Sequence, residues 1–251
     1  MASMKPLGES WAPGPEQFTT TQWSLVVAAG AAQSPQARQA LEALCRRYWF
    51  PLYAFVRRQG IALHEAQDLT QEFFARFLDR DYLGDVDRQR GKFRSFLLAA
   101  LKHFLANHWD RARARKRGGG KTVFSIDYQD AEKRYLREPV DQWTAEKLFQ
   151  RRWALELLGT VLRRLQEEAA AAGKGPLFEE VKDYLTGTDA RGYQEVARKL
   201  ALSEGALKTA IHRLRRRYRQ LLRAEIAQTV ADAAQVDEEI RQLFADLRGG
   251  P

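Results

Sequence analysis

From Pro35 onward the apolar positions fall at helical steps. Ala37, Leu41, Leu44, Tyr48, Leu52, Phe55 and Val56 share one stripe of a 3.6-residue repeat. Gly60 stands where such a helix would stop. A second stripe lies within His64 to Arg80, with Leu69, Phe73 and Phe77 in line and Phe74 and Leu78 beside them. A third begins near Lys92 and carries Phe93, Leu97, Ala100, Leu101, Phe104 and Leu105. It passes into the basic tract Arg111 to Arg117, which Gly118, Gly119 and Gly120 break. Upstream of these, a threonine of Thr19 to Thr21 can cap a helix through Trp23, Val26 and Val27. Residues 1–18 hold three prolines and two glycines without periodicity and read as a loose leader.

Residues 121–143 show short apolar islands and Pro139, the pattern of a linker. Ala145 to Ala172 then predicts one long helix on Leu148, Trp153, Leu155, Leu158, Leu162 and Leu165, interrupted by Gly173, Gly175 and Pro176. Phe178, Val181, Tyr184 and Leu185 predict a short helix closed by Gly187. Helical patterns follow over 192–200 and 204–228, and a last acidic helix over roughly 236–247. Sustained period-two alternation and solenoid-type repeats are missing from the pattern. The expectation is an all-α fold of two helical modules joined by a flexible linker. Its boundaries are a leader over 1–18, a helical module over 19–117, a linker over 118–143, a second module over 144–228 and an acidic extension over 229–251.

Composition narrows the function. With 251 residues and 45% hydrophobic content the chain can bury a core. Lys and Arg number 41 against 32 Asp and Glu, a net charge of +9 that favours a polyanionic partner. No apolar run nears the ~18–20 residues that span a bilayer, and Met-Ala-Ser-Met-Lys-Pro does not open a signal peptide. Cys45 is the single cysteine, which excludes an intrachain disulfide and a thiolate metal cluster. No membrane partner is expected, and a reducing, cytoplasmic setting is.

The most informative stretch is 193–217. Val196, Ala197 and Leu200 line one face of a short helix, Leu202 plugs the turn, and Ser203 is placed to cap the next helix. Leu207, Ile211 and Leu214 point that helix to a core, leaving Glu204, Lys208, Thr209, His212, Arg213 and Arg216 outward. Over 191–223 ten Lys or Arg stand against Glu195 and Glu204. This pattern predicts a helix-turn-helix, with early residues of its second helix at base edges and arginines such as Arg215 and Arg219 on phosphate. Two packed helices with a solvated basic face would carry the same pattern.

The first module shows two opposite surfaces. Glu65, Asp68, Gln71 and Glu72 share a face, and between 63 and 87 seven acids outnumber Arg76 and Arg80. That face repels DNA and suits a protein. Lys102, His103, Asn107 and His108 instead lead into Arg111, Arg113, Arg115, Lys116 and Arg117, with Asp110 the one acid over 102–121. Cations mixed with His and Asn suit a strand with exposed bases; Trp109 alone is expected in the core.

Three motifs in order, Asp68-Leu69-Thr70-Gln71-Glu72-Phe73-Phe74, Arg90-Gly91-Lys92-Phe93-Arg94-Ser95-Phe96-Leu97 and the basic helix, resemble region two of bacterial sigma factors. Residues 193–217 are similar to their region four, and the spacing resembles the extracytoplasmic-function type, over about 20–117 and 145–225. The resemblance implies that Asp68, Gln71, Glu72 and Phe74 bind core RNA polymerase. It implies that Lys102, His103, Asn107, His108, Arg111, Arg113, Arg115 and Arg117 meet the minus-ten element of promoter DNA and hold it open. Ser203, Glu204, Lys208, Thr209, His212, Arg213 and Arg216 would bind the minus-thirty-five element. His103 stands where many members carry Asn, and Ala201 fills a turn position usually held by Gly. A left-handed Ala201 would cost on the order of 1 kcal/mol.

No cofactor, metal or catalysis is expected, and the free chain is expected to be a monomer. Whether a separate anti-sigma protein binds it, or the acidic tail regulates it in cis, stays open. The tail's Asp232, Asp237, Glu238, Glu239 and Asp246 are expected to pack on the basic module. Two rival readings are a metal-dependent nuclease using Asp68 and Glu72, and a free-standing helix-turn-helix repressor. The first lacks converging ligands, since His103 and His108 diverge around a helix. The second leaves the 68–74 motif unexplained.

Overall fold

A computed structural model describes residues 35–78, 92–112, 128–136, 143–186 and 192–248. The expected leader and the helix through Trp23, Val26 and Val27 lie outside them. Among the described residues the fold is all-helical, with an isolated antiparallel bridge between Lys92 and Val230. The helices are α1 (Pro35–Arg58), α2 (Leu63–Leu78), α3 (Phe93–Ala112), α4 (Tyr128–Leu136), α5 (Ala145–Ala171), α6 (Gly175–Val181), α7 (Asp183–Thr186), α8 (Tyr193–Lys199), α9 (Glu204–Ala227) and α10 (Val236–Arg248). None of these is long and apolar enough to cross a membrane.

The chain divides into two compact units, and the divisions at Val161 and Leu221 fall inside helices. The larger unit comprises Thr21–Val161 with Leu222–Pro251, and the smaller is built on Leu162–Leu221. Much of the expected linker over 118–143 lies outside the described residues; the two units divide at Val161 and Leu162, in the middle of α5. A continuous helix carries no loop signal at that point, so composition cannot mark it.

In the larger unit the apolar stripes of α1, α2 and α3 close one aromatic core. Phe73 packs edge-on against Phe104 with centroids 5.7 Å apart, and Phe77 against Phe93 at 6.4 Å. Trp153 of α5 enters this core, and its indole N–H donates to the Tyr48 hydroxyl at 2.9 Å. The polar end of a buried indole is thereby satisfied. Cys45 is fully buried, and burial pushes its thiol up, so it behaves as a small core residue.

The expected flexible linker contains α4, which is fixed to α1. Glu132 accepts from the Tyr53 hydroxyl at 2.5 Å and from two Arg57 nitrogens at 3.1 and 2.7 Å. Burial raises the Glu132 carboxyl, but these donors outweigh it and hold it below its usual value. A depressed carboxylate stabilises the fold above the unfolded-state value and loses that contribution as pH falls through the folded one. Below about pH 4.5 the melting temperature of the wild type should therefore fall more steeply than that of Glu132→Gln. Parallel slopes in thermal melts would contradict this account.

The smaller unit is built on the buried apolar side chains of Leu165, Ala169, Phe178, Val181, Val196, Leu207, Ile211 and Leu214. Glu168 on α5 accepts two bonds from Arg217 on α9, both at 2.8 Å. This charge-assisted bidentate pair holds the Glu168 carboxyl low.

The acidic tail meets the expected module in part, through Arg151 and Arg223, but its main anchor lies elsewhere. Its buried carboxylate, Glu239, is held by Lys92 and Arg94 at the start of α3, and Asp246 also meets Arg94. The exposed Asp237 reaches a basic residue of α9, Arg223. Counting charge points to the most basic helices, whereas burial places the tail on Lys92 and Arg94, the second of which is almost wholly desolvated.

Candidate functional site

Helices α8 and α9 are joined by a tight turn. Ala201 adopts φ +52°, the left-handed region expected of a glycine. The Leu202 N–H then closes on the Ala197 carbonyl at 2.9 Å. Ser203 begins α9 as a cap, its hydroxyl oxygen accepting from the Ala206 N–H at 3.2 Å. Ala201→Gly should stabilise the fold by about 0.5–1 kcal/mol in urea denaturation, because the strained residue loses its Cβ. Unchanged or reduced stability would refute that strain.

Leu207, Ile211 and Leu214 are buried, and they turn the opposite arc of α9 to solvent. On that arc Lys208, Thr209, His212, Arg213 and Arg216 are exposed. Lys208 pairs with Glu204 at 2.5 Å and lies 5.5 Å from the centre of the Tyr193 ring. Lys208 holds the Glu204 carboxyl below its usual value. The Thr209 hydroxyl donates to the Gly205 carbonyl at 2.9 Å, so its oxygen retains acceptor capacity.

Two arginines of the basic tract serve the fold. Arg215 donates to the Tyr184 carbonyl at 2.8 Å, and Arg217 holds Glu168. Arg215 thus has a structural partner, and it is exposed like Arg216 and Arg219. The sequence signal for Arg217 is its place on the inward side of α9, which a count of cations passes over.

In the larger unit α2 and α3 present neighbouring faces. Asp68 is exposed, while Gln71 and Glu72 are half-buried. Glu72 takes Arg76 one turn along and lies 3.9 Å from the His108 Nδ1 of α3. Phe74 departs from its expected surface role. It is 1% exposed, packed edge-on against Phe73, and belongs to the core.

On α3, Lys102, His103, Asn107 and Trp109 are exposed and His108 is half-buried. Trp109 is 41% exposed, where the core was expected. The buried stripe of Leu97, Leu101, Phe104 and Leu105 continues along the helix to His108, and Trp109 lies to one side of that line. The Asn107 amide nitrogen lies 2.9 Å from the His103 ring nitrogen. Lys102 meets Glu146, the first-turn acid of α5, at 2.6 Å. The side chain of Arg111, and Arg113, Arg115 and Arg117 entirely, lie outside the described residues.

No family model, curated protein or solved structure matches the chain.

Proposed function

We propose that this chain is a sigma factor of the extracytoplasmic-function type, which binds core RNA polymerase and directs it to promoter DNA without catalysis of its own. The observation that carries the reading is the pair of faces on α2 and α3. One helical unit presents Asp68 with Gln71 and Glu72, and, on the next helix, an exposed Trp109 with Lys102, His103 and Asn107. Carboxylates repel a nucleic-acid backbone and suit a protein, whereas a half-exposed indole among polar and cationic groups suits unstacked bases. In this reading α3 meets the minus-ten element, and α8 with α9 forms a helix-turn-helix that reads the minus-thirty-five element. The left-handed turn at Ala201 and the cap at Ser203 support that second assignment.

The test is capture of purified core RNA polymerase. Wild type should retain polymerase, and Asp68→Ala/Gln71→Ala/Glu72→Ala should not. Because Glu72 also meets Arg76 and His108, the exposed Asp68→Lys alone supplies the variant that leaves those packed contacts in place. A wild type that shifts DNA but fails to retain polymerase would support the free-standing repressor.

A further inference from the structure

We propose that the larger unit carries a binding site for an acidic amphipathic helix, and that α10 is its displaceable occupant in cis. The site is assembled from separate parts of the chain. Arg94 lies 4.4 Å from the centre of the Trp153 ring and grips Glu239 with two nitrogens at 2.5 and 3.2 Å. Lys92 meets the same carboxylate at 2.7 Å, and Arg94 reaches Asp246 at 3.1 Å. Gln150 accepts from Arg94 on the remaining side. Arg151 donates to the Leu247 carbonyl at 3.1 Å, a group of the last helical turn that has no partner within its own helix.

The occupant matches this site along one stripe. Val236, Glu239, Leu243 and Asp246 follow one another at steps of three, four and three, which puts them on a single face. Glu239 is 1% exposed, Leu243 is fully buried, and Glu238, Arg241 and Ala245 face solvent. The site therefore recognises a sequence of apolar, acidic, apolar and acidic residues at those steps, which is the kind of partner helix it fits.

Displaceability follows from length and chemistry. At 13 residues α10 is no longer than the roughly 12–15 residues at which isolated helices are marginal in water. Its order is therefore gained on docking, and the ordering entropy lowers its net affinity. It is joined to Val230 through the exposed turn at Asp232 to Ala234, where the Asp232 carboxylate accepts from the Ala234 N–H at 2.9 Å. This site is independent of the polymerase and DNA reading.

The experiment uses the full chain with a protease site placed at the Asp232–Ala234 turn and cut after folding. A labelled peptide of residues 236–248 should exchange with the cut fragment, as read by fluorescence anisotropy. Glu239→Gln in the peptide should weaken its binding about tenfold or more, as a charged hydrogen-bonding group is lost. Arg241→Ala, on the outward face, should leave binding unchanged. A cut fragment that never exchanges, an affinity indifferent to Glu239→Gln, or loss of helical circular dichroism on cutting would each overturn the proposal.

Discussion

Replacing Arg94 with methionine is expected to destabilise the larger unit by about 3–5 kcal/mol, the range for removing one partner of a buried ion pair. Arg94 is 4% exposed, and its loss leaves the buried Glu239 with Lys92 as its remaining cation. Burial pulls the Arg94 guanidinium down, but Glu239 and Asp246 together hold it above its usual value. The charges therefore compensate each other inside the fold, and neither is tolerated alone. Arg94→Met/Glu239→Leu removes both and leaves two apolar side chains in their place. That pair should recover most of the loss, since apolar replacements of buried pairs are often neutral or better. Urea denaturation of the wild type, both single variants and the double variant measures the coupling. Additive losses would show that Arg94 acts through the Trp153 stack and Gln150 instead of through Glu239.

This network also marks where the sequence stops being legible. The helices of the larger unit are readable because each buries a stripe set by the 3.6-residue repeat, as Leu69, Phe73 and Phe77 do on α2. The stop at Gly60, the cap at Ser203 and the strained turn at Ala201 are readable because each depends on neighbouring residues alone. Partners distant in the chain are a different matter. Arg94 and Glu239 are 145 residues apart, and Glu132 and Tyr53 are 79 apart. No local period links such residues, so charge and composition alone miss the tail's buried anchor at Lys92 and Arg94 and turn an anchored helix into a linker. Phe74 and Trp109 fail in the reverse sense. A motif places Phe74 outside although the aromatic cluster buries it, and a preference for burying indoles places Trp109 inside although its helix turns it out.

The candidate site divides along the same line, and the division sets a second large expectation. If α9 reads bases, Lys208→Ala and His212→Ala should lose preference for the cognate minus-thirty-five sequence by about 1–3 kcal/mol for a good contact, roughly 5- to 150-fold. Both residues are exposed within the first turns of a capped helix, the part that faces base edges in such motifs. Arg216→Ala and Arg219→Ala should instead weaken cognate and scrambled DNA alike, and each should lower the salt slope by about 1. Arg215→Ala separates a third case. Its guanidinium holds the Tyr184 carbonyl, so this change should lower the thermal stability of the smaller unit along with its affinity. Titrations of cognate and scrambled duplexes at several salt concentrations, paired with thermal melts, distinguish the three. A uniform loss from Lys208→Ala and His212→Ala, with the salt slope changed and preference intact, would reduce α9 to a phosphate-binding face.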